Sequence, residues 1–102
     1  MKKLTLIVRA DIEQALADVL RGIDRVGGFL FTPVAGHGAQ DERDPALSAQ
    51  DLVVEYTPHV RVDIVLEDRD VAAVLRDLRG ANCGLAGRCV YWVADVAEFG
   101  RL

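Results

Sequence analysis

Leu4, Leu6 and Val8 alternate with Thr5, Ile7 and Arg9, a period of two that predicts a β-strand at the start of the chain. From Ile12 the period changes. Ile12, Leu16, Val19, Leu20, Ile23 and Val26 recur at helical spacing and make one apolar stripe. Asp11, with Gln14 three residues on, has the pattern of a capping box, and Gly27-Gly28 are placed to end the helix. Phe29 to Val34 is aromatic and β-branched and predicts a second strand. The clearest alternation runs from Leu52 to Glu67. Leu52, Val54, Tyr56, Pro58, Val60, Val62, Ile64 and Leu66 fall on one face; Val53, Glu55, Thr57, His59, Arg61, Asp63, Val65 and Glu67 fall on the other. Pro58 cannot donate to a ladder, so it marks a bulge or an unpaired edge position. Asp68 or Asp70 then caps a second helix with the stripe Val71, Val74, Leu75 and Leu78, ended by Gly80. Cys89 to Val96 predicts a fourth strand, and Ala97 to Leu102 a short tail.

The order β-α-β-β-α-β, with strands two and three paired as a hairpin, is that of an α+β, ferredoxin-like sandwich: a four-stranded antiparallel sheet with two helices on one face. Residues 1–102 make one domain, with a polar surface loop over 39–51 and a glycine-containing turn over 80–88. Two helices cannot cover both faces of the sheet. The open face would carry Glu55, His59, Arg61 and Asp63 together with Val53 and Val65, a mixture that suggests a partner, so oligomerisation through that face is expected. Tyr91 and Trp92 are expected to divide between core and interface. A fold of this kind hosts many activities and names none of them.

Composition narrows the partners. The chain has 102 residues and a net charge of −4, which argues against nucleic acid and anionic membranes, both of which need a basic surface. Half of the residues are apolar, a globular balance. The opening run is too short for a signal peptide and no stretch is long enough to span a bilayer, so a cytoplasmic location is expected. In a reducing compartment Cys83 and Cys89 are expected to stay unpaired. Catalysis finds little support: there is no Gly-x-Ser-x-Gly elbow, Walker loop or His-Glu-x-x-His motif.

Candidate chemistry gathers at glycines and histidines. Gly36-x-Gly38 reads either as a strand-ending turn or as a backbone cradle for an anion. The turn Gly84 to Arg88 reads either as a plain helix-to-strand connection or as a phosphate wrap, with Arg88 supplying a charge-assisted hydrogen bond. His37, His59, Cys83 and Cys89 include metal-ligand types, but no pair has zinc-finger spacing. Asp41, Glu42, Asp44 and Asp51 make the 39–51 loop rich in charge, as solvated loops and docking loops both are.

Three stretches in order resemble the PII signalling proteins. Gly27 to Gln40 ends in Gly36-x-Gly38-x-Gln40, similar to the base of the PII T-loop, with Ala39 where an Arg is usual. Val54 to Asp68 is similar to the strand after that loop, including Pro58, with His59 where a Lys is usual. Gly84 to Val96 resembles the B-loop and last strand, with Gly87-Arg88 in place of Gly-Lys. Tyr91-Trp92-Val93, Phe99 to Leu102 and Gly36-His37-Gly38 look more like an uncharacterised proteobacterial branch, often encoded beside heavy-metal efflux pumps. The resemblance implies a non-enzymatic, regulatory homotrimer with ligand clefts between subunits. Its effector would be a small anion, foremost an adenine nucleotide (ATP, ADP or AMP), with bicarbonate as a variant. Gly36, His37, Gly38, Gln40, His59, Gly84, Gly87, Arg88 and Arg101 would line the cleft. The 39–51 loop would dock on a partner such as a membrane transporter or efflux pump; it holds no Tyr, so uridylylation of a loop tyrosine is excluded. The alternative is an adaptor binding a divalent metal, zinc or copper, through His37 and His59.

Overall fold

A computed structural model describes residues 1–36, 57–85 and 87–102. Strand β1 (Lys2–Arg9) leads through a 3₁₀ turn at Ala10–Ile12 into helix α1 (Glu13–Arg21), then β2 (Leu30–Gly36). Strand β3 (Thr57–Leu66) leads through a second 3₁₀ turn at Asp68–Asp70 into α2 (Val71–Gly80), then β4 (Val90–Asp95). The sheet order is β2-β3-β1-β4, with every neighbouring pair antiparallel. Each β-α-β unit therefore has a strand of the other inserted between its own two, the ferredoxin-like arrangement expected from the sequence.

The centre of the molecule is the β1–β3 pair. Its register runs from Lys2↔Leu66 to Arg9↔His59, so Leu4, Leu6 and Val8 lie beside Ile64, Val62 and Val60 on one face. Those six side chains are buried beneath Leu16 and Leu20 of α1 and Val74 and Leu78 of α2. Burying each of them is worth roughly 1.5–3 kcal/mol relative to exposure. Strand β4 differs: Val90, Tyr91, Trp92 and Val93 are all 41–49% exposed, although Tyr91 and Val93 lie on the helix side opposite Leu6 and Leu4. Tyr91 and Trp92 thus point to opposite faces and neither is core.

Helix ends depart from the sequence pattern. No side chain caps α1: Asp11 sits in the 3₁₀ turn and pairs with Arg9, while Gln14 donates to Asp18. Helix α1 closes at Gly22, and Ile23 and Val26 pack from the single turns that follow it, before Gly27. Asp70 holds the cap position just before α2 but makes no capping bond and instead meets Arg25 at 3.4 Å. Pro58 lies one residue past the end of β1, so β2 is its neighbour and no β1 residue stands opposite. Pro58 is thus paired on one side only, near the start of β3, where a missing N–H is tolerated. Glu55, Val53 and the rest of 37–56 lie outside the described residues.

The open face is organised around a charge. Thr5 of β1 has Asp63 on one side and Trp92 on the other, and it is fully buried. Its hydroxyl donates to Asp63 Oδ1 at 2.8 Å, and Arg61 Nε donates to both oxygens of the same carboxylate at 3.0 and 3.2 Å. The Arg61 guanidinium also lies 5.9 Å from the centroid of the Trp92 ring, a cation–π contact. Burial opposes ionisation of Asp63, but the bonds from Arg61 and Thr5 outweigh it and hold the carboxyl below its ordinary range. A carboxyl whose folded pKa is lowered contributes stability above its unfolded value and loses it as pH falls through the folded value. Asp63→Asn should therefore cost about 1–2 kcal/mol near neutrality, with part of the acid sensitivity below about pH 4 removed. Urea unfolding of both proteins between about pH 3 and pH 6 checks this; equal acid sensitivity would remove Asp63 from the account.

Candidate functional site

Antiparallel pairing decides what meets at the rim of the sheet. Strands β1 and β2 end where β3 and β4 begin. Arg9 is opposite His59, His59 is opposite Val34, and Gly36 is opposite Thr57. Strand β4 starts beside Ile7, so the loop before it, Asn82 to Cys89, arrives at the same rim. Residues from four separate stretches of sequence are thereby gathered at one end of the sheet.

At this rim a small pocket of about 60 Å³ is lined by Arg9, Asp11, Ile12, Gly84 and Arg88. Its shape depends on a tight loop. Gly84 and Gly87 adopt φ of +88° and +68°, conformations that L side chains rarely take, and the Arg88 amide donates to the Leu85 carbonyl at 3.0 Å. A Cβ on Gly84 would sit 3.5 Å from Ile12 Cγ2, an ordinary van der Waals contact, so it is the positive φ and not lack of space that calls for glycine there. Arg9 Nε meets Asp11 Oδ1 at 3.5 Å. The Arg9 side chain is 22% exposed and that of Asp11 is 65% exposed, so the guanidinium is inside and the carboxylate faces water. Among the described residues the lining brings two guanidinium groups and one carboxylate to the same small space, and a guanidinium fork is a donor set that suits an anion.

The residues singled out in the sequence divide five ways. Gly84 and Arg88 line the polar pocket. His59, 6% exposed, and Gly36 sit on the same rim, on β3 and β2. Gly87 lines a different, apolar cavity between α2 and β4. Arg101 lies exposed in the tail and is not part of the pocket lining. His37, Gly38 and Gln40 lie outside the described residues. Arg9 and Asp11 are the additions: the alternation marks Arg9 as a strand end and Asp11 as a cap. The available signal was that Arg9 closes β1 at the rim where the glycine loop must return. Among the described residues no three His, Cys, Asp or Glu side chains group as a metal site, and no helix is long and apolar enough to cross a membrane.

The whole chain, residues 1–102, matches the family described as a protein of unknown function, DUF3240. It is similar to nitrogen regulatory protein P-II of Rhizobium meliloti, 29% identical over 107 residues, covering 100% of this chain and 91% of that protein. Nitrogen regulatory protein P-II 1 of Escherichia coli K12 is 30% identical over 108 residues with the same coverage. A crystal structure of a DUF3240 family protein from Shewanella baltica matches with a TM-score of 0.76 at 21% identity, over 99% of this chain and 94% of that one. That last likeness establishes the fold.

The glycine loop has a direct test. Gly87→Ala should lose about 1–2 kcal/mol of stability through its positive φ. Gly28→Ala, with no positive φ and nothing within 4 Å of an added Cβ, should be neutral or slightly stabilising. Denaturant midpoints of the two variants compare them directly.

Proposed function

The chain belongs to the DUF3240 family and is related to the P-II proteins, and from that premise we propose that it is a regulatory, non-catalytic protein whose effector is an adenine nucleotide. It works as a homotrimer, binds the effector in clefts between subunits and acts on a partner through residues 39–51. A cytoplasmic location and a transporter or efflux pump as partner complete this reading.

The carrying observation is that Arg9, Gly84 and Arg88 line one pocket at the rim that also bears Gly36 and His59. Two features favour a cleft between subunits. A volume of about 60 Å³ holds roughly two waters, far too little for a nucleotide within one chain. Gly36 ends β2 at one edge of the sheet, whereas Arg88 stands in the loop before β4 at the other, with β3 and β1 between those edges. A head-to-tail ring places the β2 edge of one copy beside the β4 edge of the next and brings the two together. Exposed Leu30 on β2 and exposed Val90 and Trp92 on β4 supply apolar surface for that contact.

Calorimetric titration with ATP, ADP and AMP, with and without Mg²⁺, tests the reading. Saturable binding is expected, weakened about 10- to 100-fold in Arg88→Ala by loss of a charge-assisted bond, with sedimentation showing a trimer. Silence with every nucleotide overturns the effector, and a monomer at saturating nucleotide overturns the intersubunit cleft. Zn²⁺ and Cu²⁺ titrations read the adaptor alternative, in which His37 and His59 are the ligands.

A further inference from the structure

The Asn82 to Cys89 loop has a second side. Gly84 and Arg88 face the polar pocket, whereas Leu85, Gly87 and Cys89 line a cavity of about 320 Å³ shared with Leu6, Leu75, Leu78, Arg79 and Tyr91. The cavity exists because α2 ends at Gly80 and the chain then bridges to β4 through two positive-φ glycines. Leu6 and Leu78 form its buried floor, while Tyr91 stays 44% exposed.

The lining is specific in its chemistry. Four of the eight described lining residues are leucines. Burial pushes the Cys89 thiol up to about 11, so it stays protonated and adds no charge. Among the described lining residues there is one cation: exposed Arg79 donates from Nη2 to the Tyr91 hydroxyl at 3.3 Å and lies 5.9 Å from that ring's centroid. The contact with Tyr91 fixes the guanidinium beside the opening, and a guanidinium has five N–H donors in a fork that fits a carboxylate. A single cation over an apolar wall matches a monoanion with a hydrocarbon body. The volume is at the small end of ligand sites.

We propose that this cavity binds a small amphipathic carboxylate, an aryl or short branched alkyl acid, with its hydrocarbon against Leu6, Leu75, Leu78 and Leu85 and its carboxylate on Arg79. The site is separate from the rim pocket, and the proposal does not depend on which effector the rim takes.

The test is ¹³C-methyl NMR of the full chain titrated with phenylacetate and with 4-methylpentanoate, each beside its neutral amide. The acids should shift the methyls of Leu6, Leu75, Leu78 and Leu85 saturably, and the amides should bind about tenfold more weakly. Arg79→Gln should weaken the acids by about tenfold and leave the amides unchanged. Leu75→Trp, which fills the cavity, should abolish both; should that variant not fold, the exposed Arg79→Gln decides alone. Equal binding of acid and amide, acid binding unchanged in Arg79→Gln, or no shift with either acid overturns the proposal. Shifts that follow protein concentration and not added acid mean that a second copy covers the cavity, and overturn it as well.

Discussion

The antiparallel pairing of β1 with β3 is the constraint on which the rest of the molecule depends. Its register aligns Leu4, Leu6 and Val8 with Ile64, Val62 and Val60, and the resulting apolar surface is what both helices bury. A slip of one residue would turn every one of these side chains to the other face. The same register sets the polar face, because it puts Thr5 next to Asp63 and Arg9 next to His59. Core and rim are therefore consequences of one alignment. Neither can be altered by a shift of strand without loss of the other.

Outward from that pair the packing becomes incomplete. Strand β4 is joined to β1 along six residues, yet it contributes exposed apolar side chains to both faces. Strand β2 is also at an edge, with Leu30 70% exposed. Edge strands with apolar side chains are a liability for a monomer and an asset for an assembly. The open face is different in kind: Asp63 is held by Arg61 and Thr5, and Arg61 in turn leans on Trp92. A paired charge of this sort tolerates partial burial, so the face is built to meet either water or another polar surface.

Much of the fold was legible in the sequence because its signals are periodic. The alternation in Leu4 to Arg9 and in Val60 to Leu66 appears in the structure with the expected faces, and the stripes of both helices pack where their spacing places them. What was not legible is decided by contacts between distant residues. Asp11 has the composition of a cap, yet Arg9 two residues earlier offers it a closer charge. Gly27-Gly28 has the composition of a stop, yet the helix has already closed at Gly22. At the rim, Gly84 and Arg88 were legible from the loop's glycines and charge. Arg9 was not, because its role comes from the turn of chain that the loop is folded against. Gly87 shows the converse. It belongs to the same short motif as Arg88 but turns to the other side of the loop, and spacing alone cannot tell the two sides apart.

The net charge of −4 places a further condition on the rim. An acidic protein does not draw anions toward itself from a distance, and at physiological ionic strength the general field of its charges fades over about 8 Å. Recognition of an anion must then come from donors that touch it. The rim supplies that kind of donor. A guanidinium from the end of β1 and another from the glycine loop line one small space, and Asp11, the acid among the described lining residues, is largely exposed to water. Short-range hydrogen bonds to charged groups keep their strength in such a partly enclosed space, where long-range attraction would not. The acidic surface therefore does not count against an anionic effector. Under the proposed reading, affinity for such an effector would be decided within the few residues of the rim, and the charge of the rest of the chain would not replace a guanidinium lost there.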